Sequence, residues 1–318
     1  MSYKRHLNDM SAKDKEDLAN LHIDKDIFYD SSEMRFYYSF EEKIASSSVI
    51  KIALESEFLA NGPKVFELSS IVCESLEKIE LTLKCEDYQQ PFPIICIDFP
   101  SDYATNRFVY SDADKSKKHY PRYAMVKYEN KNKMLWIYVY MNSGDSITRT
   151  FDLYRDPDKT FECKMKDIKT IQISAMELEQ TEEEVILVDN ICRIAFNTAL
   201  LSVNYGCSEK LDEFKLKMLQ KIKTCPKKFI EKNKKEIKFR PAFYQLDQKI
   251  TFFKKEGNSQ SCDTQSSSRK HWHWRKGHWR NQPYGPNNTL VKRIVIPPVL
   301  INAQDFDGRN FKTVYEAS

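Results

Sequence analysis

The sequence predicts an α+β fold: N-terminal helices, a central mainly antiparallel sheet backed by a long helix, and a C-terminal basic β-hairpin. Three observations predict it. Helix-period stretches with a cap dominate before residue 90. From Pro91 the texture changes to short β-branched and aromatic runs separated by turn residues. Near residue 181 a long apolar-period stretch opens on an acidic cap and stops at Gly206. The chain divides accordingly into residues 1–90, an N-terminal helical part; 91–254, sheet plus central helices; 255–270, a flexible linker; and 271–318, a basic His/Trp/Arg segment packed on the body.

In chain order, Ser11-Ala12-Lys13-Asp14 reads as a capping box opening a short polar helix to about His22. Residues 33–46, with Phe36, Tyr37, Tyr38 and Phe40, read as helix, and Asn61-Gly62-Pro63 breaks the chain. Residues 64–83 carry Phe66, Ile71, Val72, Leu76, Ile79 and Leu83 at near-helical spacing and read as a further helix. Residues 92–100 are a buried strand bounded by prolines. Strand-like runs follow near 107–110, 123–128, 135–141, 147–154, 160–164 and 170–174. Turn-rich links such as Asn142-Ser143-Gly144-Asp145 make them an antiparallel sheet. Within it Trp136, Tyr138 and Tyr140 share one face, and Asp98 and Asp152 show no spacing that would make them a working carboxylate pair.

Thr181-Glu182-Glu183-Glu184 starts the long helix, whose Val188, Cys192, Ala195, Phe196, Ala199 and Leu200 form an apolar stripe. A second helix is expected from Ser208 to about Ile222, and residues 242–253 are ambiguous between helix and strand. Residues 256–268 contain no apolar residue except Cys262 and read as a flexible tether, open to proteolytic nicking.

Composition removes several function classes. The chain has 318 residues and only 7 Gly, with no G-x-G-x-x-G and no Walker A pattern, against a dinucleotide enzyme or a P-loop NTPase. H-E-x-x-H and G-x-S-x-G are absent too. None of the 8 Cys forms C-x-x-C, and several sit in apolar runs, as Cys96 does, so free thiols in a reducing cytosol are expected. No h-region occupies the N-terminus and no uninterrupted apolar run approaches the roughly 20 residues of a membrane span, so no membrane partner is expected.

Charge is unevenly spread. Residues 221–293 hold 19 Lys and Arg against 5 Asp and Glu, a net +14, which leaves −10 elsewhere in a chain whose total is +4. Such a split suits contact with a polyanion, the other reading being a solvated lysine-rich surface.

Chemistry concentrates in residues 269–302. Three of the 6 His (His271, His273, His278) and three of the 4 Trp (Trp272, Trp274, Trp279) lie there, and no Asp or Glu occurs between Asp263 and Asp305. The run 271–276 alternates like a strand, Gln282 to Asn288 is turn chemistry, and 290–296 is a second strand before Pro297-Pro298. Three chemistries are open to this hairpin. His-x-His-x4-His supplies three imidazoles for a metal, yet no carboxylate or thiol is adjacent and Arg275 and Lys276 would repel a cation, so no metal and no cofactor is assigned. Metal-independent RNA cleavage would use His273 and His278 as acid and base and Arg275 on the phosphorane, since imidazoles titrate near neutral pH. Binding alone would place Arg275, Lys276, Arg280, Lys292 and Arg293 on phosphates and Trp279 on a base, with RNA or the ribosome surface as ligand. The remaining reading makes the Trp residues core and the charges a solvated face.

The segment "HWHWRKGHWRNQPYGPNNTLVKRIVIPPVLIN" resembles the C-terminal pattern of the large type V-A anti-CRISPR family of plasmid- and phage-borne bacterial proteins. That pattern runs His, one residue, two basic residues, a small residue, His-Trp, a turn, a basic strand and an apolar close. His273, Arg275, Lys276, Gly277, His278 and Trp279 fit it, as do Lys292, Arg293 and Ile301-Asn302. The upstream order of helices, "PIICIDFP" strand, meander, long helix and "FYQLDQKI" is similar in pattern. The resemblance implies an inhibitor of CRISPR effector biosynthesis in the cytoplasm of a bacterial host. It would recognise the nascent peptide of a CRISPR effector nuclease and provoke loss of its mRNA, the C-terminal segment contacting RNA or the ribosome. A plasmid or phage endoribonuclease or toxin, and a non-catalytic nucleic-acid-binding accessory protein, remain the alternatives.

Overall fold

The computed structural model of the protein describes residues 10–20, 27–30, 35–38, 47–107, 110–111, 118–131, 133–143, 146–154, 157–161, 172–173, 182–211, 213–222, 227, 238–246, 253–254 and 273–301. The expected tether 256–268 and His271, Trp272 and Asn302 lie outside these residues.

The capping box at Ser11 forms as read. The Asp14 N–H donates to Ser11 Oγ at 3.1 Å, and Asp14 Oδ2 accepts from the Ser11 N–H at 3.2 Å. It opens α1 (Ala12–Ala19). Of the aromatic run expected as helix at 33–46, the described residues 35–38 are instead a strand. β1 (Ile27–Asp30) and β2 (Arg35–Tyr38) pair antiparallel, because consecutive Phe and Tyr favour a pleated surface when a partner strand is beside them. A helix that the sequence reading left unassigned, α2 (Ser47–Ala60), follows.

Residues 64–83 also depart from expectation and split into β3 (Lys64–Glu67), α3 (Ser70–Glu77) and β4 (Ile79–Glu80). The cause is local. Ser69 Oγ accepts from the Val72 N–H, so the helix starts only after it. Before it, Val65 and Phe66 enter opposite cores, the period of a strand.

The strands expected at 92–100, 123–128, 135–141, 147–154 and 170–174 form as β5 (Ile94–Asp98), β8 (Pro121–Glu129), β9 (Met134–Met141), β10 (Ser146–Asp152) and β11 (Gln172–Ile173). The strand expected at 107–110 does not: Arg107 closes a short α4 (Ser101–Arg107), and Tyr110 belongs to β6 (Tyr110–Ser111), which pairs with β7 (Lys118–His119). Of the strand expected at 160–164, Thr160 makes only an isolated bridge to Lys84, and residues 162–164 lie outside the described residues. The long helix α5 (Glu182–Tyr205) ends at Gly206, whose φ of 95° is the left-handed cap the sequence called for. Beyond it the expected helix at 208 begins late. β12 (Cys207–Lys210) pairs with β13 (Ala242–Leu246) first, and α6 (Glu213–Ile222) starts afterwards. The ambiguous 242–253 stretch thus resolves as strand over its first five residues.

The main sheet has eight strands in the order β11-β10-β9-β8-β5-β3-β13-β12. It is mixed: β3 pairs parallel with both β5 and β13, and the remaining neighbours are antiparallel. Along β9, Leu135, Ile137, Val139 and Met141 enter one core, while Trp136, Tyr138 and Tyr140 face the other. α5 covers the first face with Val188, Cys192, Ala195, Phe196 and Ala199, and α2 covers the second with Leu54, Phe58 and Leu59. The stretch Ile186–Tyr205 is long and apolar enough for a membrane span, and 72% of it is buried within the fold, which accounts for that apolar content. Trp279 and Val295 join the same core as Phe66 and Phe196, so residues from three of the four expected segments share one hydrophobic cluster.

Charges that enter these cores are paired. Lys127 lies between Glu57 at 2.7 Å and Glu129 at 2.8 Å and sits 4.4 Å over the Trp136 ring. Burial disfavours its ammonium, but the two carboxylates outweigh that and hold its pKa above the ordinary lysine range. Cys73, Cys85, Cys96 and Cys192 are free and buried as small hydrophobes, and burial raises the Cys192 thiol to about 12.

Candidate nucleic-acid interface

The C-terminal segment forms two strand pairs where the sequence suggested one. β16 (Gly277–Tyr284) and β17 (Leu290–Ile296) make the hairpin. Of the residues 271–276 expected as its first strand, β15 (His273–Arg275) pairs instead with β18 (Val299–Ile301), which also takes the short β14 (Phe253–Lys254). Gly277 marks the break between them. A Cβ there would lie 2.7 Å from the Ile296 oxygen and 2.8 Å from the Pro298 nitrogen, so only glycine admits this close approach of chains.

The hairpin is rooted in the body by a small polar network. Gly277 and His278 pair with Ile79 and Glu80 of β4, extending that strand into a three-stranded sheet. Trp279 is 3% exposed, and its Nε1–H donates to Asn197 Oδ1 at 2.8 Å. The Asn197 amide in turn donates to the Leu76 carbonyl at the end of α3 and the Ile79 carbonyl of β4, at 3.0 and 3.1 Å. Tyr205, at the C-terminal end of α5, accepts from the Val295 N–H at 2.8 Å, and its ring lies 6.5 Å from that of Trp279. Thr82 Oγ1 donates to the Trp279 carbonyl at 2.9 Å.

This geometry sorts the residues read as RNA contacts. Trp279 is core, which corrects the expectation that it stacks on a base: its ring has no free face. Arg293 bonds Asp87 through both terminal nitrogens, to its carbonyl at 2.9 Å and to its carboxylate. Lys276 donates to Glu80 at 2.9 Å. Arg293 therefore clamps the hairpin to the body, while Lys276 keeps its side chain 63% exposed in a surface ion pair. Arg275, His278, Arg280 and Lys292 are exposed and have no ion pair among the described residues. The proposed acid and base do not share an element: His273 lies in β15 and His278 in β16, in separate sheets. Among the described residues no three His, Cys, Asp or Glu gather as a metal site, and His271, the third imidazole, lies outside them.

Sequence reasoning missed Asn197, Tyr205, Asp87 and Glu80 as the residues that hold the segment. One signal was present. An amide within the apolar stripe of a buried helix must find partners, so Asn197 implied a polar contact from elsewhere in the chain.

A second concavity opens at the carboxyl ends of β3 and β5. It is a cavity of about 440 Å³ lined by Glu67, Asp98, Phe99, Pro100, Tyr120 and Arg122, among others. In sheets with neighbouring parallel strands this end is where ligands commonly enter.

Fold and site together define a mixed α+β body that displays a basic β-ribbon. A family model described as AcrVA2-like, the Anti-CRISPR type V subtype A2 family, matches residues 66–303, and the chain belongs to that family. A solved structure titled "Crystal structure of AcrVA2" is similar with a TM-score of 0.33 and 12% identity, over 80% of this chain and 77% of that chain. No curated protein matches.

Proposed function

We propose that this anti-CRISPR protein lowers production of a CRISPR effector nuclease in the cytoplasm of a bacterial host. The body recognises the nascent effector chain, and the C-terminal ribbon contacts RNA or the ribosome as the message is lost. The observation that supports the RNA side is the set of four exposed cationic or titratable side chains, Arg275, His278, Arg280 and Lys292, left without ion pairs among the described residues in a stretch with no carboxylate from 264 to 304. For the peptide side, the cavity beside Glu67, Asp98 and Arg122 offers apolar walls and charged ends, as an extended peptide requires.

The test is a message-level assay in cells expressing the protein. An effector mRNA recoded synonymously should still fall, whereas one with a frame shift after its start codon, nearly identical in nucleotides, should persist. Equal loss of both would remove nascent-chain recognition. Purified protein incubated with the message alone separates the enzyme reading, which requires cleavage without ribosomes.

A further inference from the structure

We infer that the outward face of the β16–β17 ribbon binds single-stranded RNA, with Tyr284 as the base-stacking residue and Arg280 and Lys292 as phosphate contacts. This rests on the reading of the C-terminal segment as an RNA contact and makes it specific.

The register defines the face. Directly opposed residues of an antiparallel pair share a side, so His278 with Ile296, Arg280 with Ile294, Gln282 with Lys292, and Tyr284 with Leu290 form one surface. Trp279 with Val295 forms the opposite side and is buried. The outward surface thus carries the two cations Arg280 and Lys292 between His278 and the Tyr284 ring. From His278 to Tyr284 it spans about 20 Å at the rise of a β-strand. The carboxylate nearest by register, Glu80 opposite His278, is already engaged by Lys276.

The far half of the ribbon stands clear of the body. Asn281, Pro283 and Val291 on the other side are exposed as well, Val291 by 61%. Tyr284 is 48% exposed, and its register partner Leu290 is 48% exposed beside it. The turn beyond is set by left-handed Gly285, Asn287 and Asn288, with the Asn288 N–H donating to the Gly285 carbonyl at 3.2 Å. The tyrosine is therefore presented on a fixed turn.

A ring of this kind takes an unstacked base. In duplex RNA the bases are stacked on one another and the major groove is too deep and narrow to be read, so the single strand is the form that this surface fits. Two flanking cations suit its phosphates.

The experiment measures anisotropy of a labelled oligouridine, and of an RNA duplex of equal length, with the full chain. The wild type should bind the single strand more tightly than the duplex. Tyr284→Ala should weaken oligouridine binding roughly tenfold, and Tyr284→Phe, which keeps the ring, should stay near wild type. Arg280→Gln and Lys292→Gln should each reduce the slope of log affinity against log salt by about 0.7. Absence of oligouridine binding, equal affinity for duplex, or no difference between Tyr284→Ala and wild type overturns the assignment. Ribosome binding without oligouridine binding does so in favour of the ribosome surface. If Tyr284→Ala loses RNA binding yet still depletes the in-frame message, the surface stands and the functional reading of the segment fails.

Discussion

The two ends of one hairpin behave as different materials. At the root, an aromatic ring and an arginine are consumed by structure: Trp279 by Asn197 and Arg293 by Asp87. A few residues along the same strands, Arg280, Lys292 and Tyr284 have the same chemical types and stand exposed. The contrast teaches that a cluster of basic and aromatic residues is not a binding site as a unit. Burial of the root makes the tip presentable, because a two-stranded ribbon is marginal by itself and here it gains a third strand and a core.

The strongest way to break that comparison is at the root. Trp279→Ala removes a buried ring and leaves the Asn197 oxygen without its donor, so denaturant unfolding should show a loss of about 3–5 kcal/mol. A midpoint equal to wild type would mean that the root is not structural. Asn197→Leu keeps the branched shape but is bulkier and strands the Trp279 N–H and the Leu76 and Ile79 carbonyls, and should cost about 2 kcal/mol or more. A smaller change is expected from Gly277→Ala, where the new Cβ must push the chain at Ile296 and Pro298 aside. A loss of about 1–3 kcal/mol, with faster amide exchange in β16, is the expected result. Least of all, Arg280→Ala and Lys292→Ala should each alter stability by under about 0.5 kcal/mol while weakening the effect on the in-frame message. The comparison sharpens if stability and activity separate in this way. It dissolves if the tip substitutions unfold the protein or leave message loss intact.

Legibility followed the range of the interactions. The strand at Ile94–Asp98, the alternation of Trp136, Tyr138 and Tyr140, and the stop of α5 at Gly206 were all readable, since each depends on neighbours within a few residues, while Thr181, read as the helix cap, lies outside the described residues. Phe36 to Tyr38 misled because an aromatic run fits helix or strand until a partner is known, and here the partner is Ile27–Asp30. Residues 64–83 misled because their apolar spacing looks helical only if the Ser69 cap between two period changes is overlooked. In the candidate site the strand 290–296 and the basic character were legible, whereas the first strand was misplaced: the hairpin partner of 290–296 is Gly277–Tyr284, so that Gln282 to Tyr284, read as turn, are strand. The division of its residues into anchors and face was not, since the deciding partners lie far away in the chain: Asn197 is 82 residues from Trp279 and Asp87 is 206 from Arg293.

By itself the sequence determined the α+β class, the long helix and its stop at Gly206, the charge asymmetry and the place in the chain where basic and aromatic groups gather. Those follow from composition, period and capping, which are local. Only the tertiary structure decided that β3 enters the sheet between β5 and β13, that the strand before Gly277 leaves the hairpin for β18, and that Trp279 is core while Tyr284 is surface. The reason is physical. A tryptophan and a tyrosine in one strand carry the same local preference, and which one is buried depends on whether a helix from elsewhere brings an amide to meet the indole N–H.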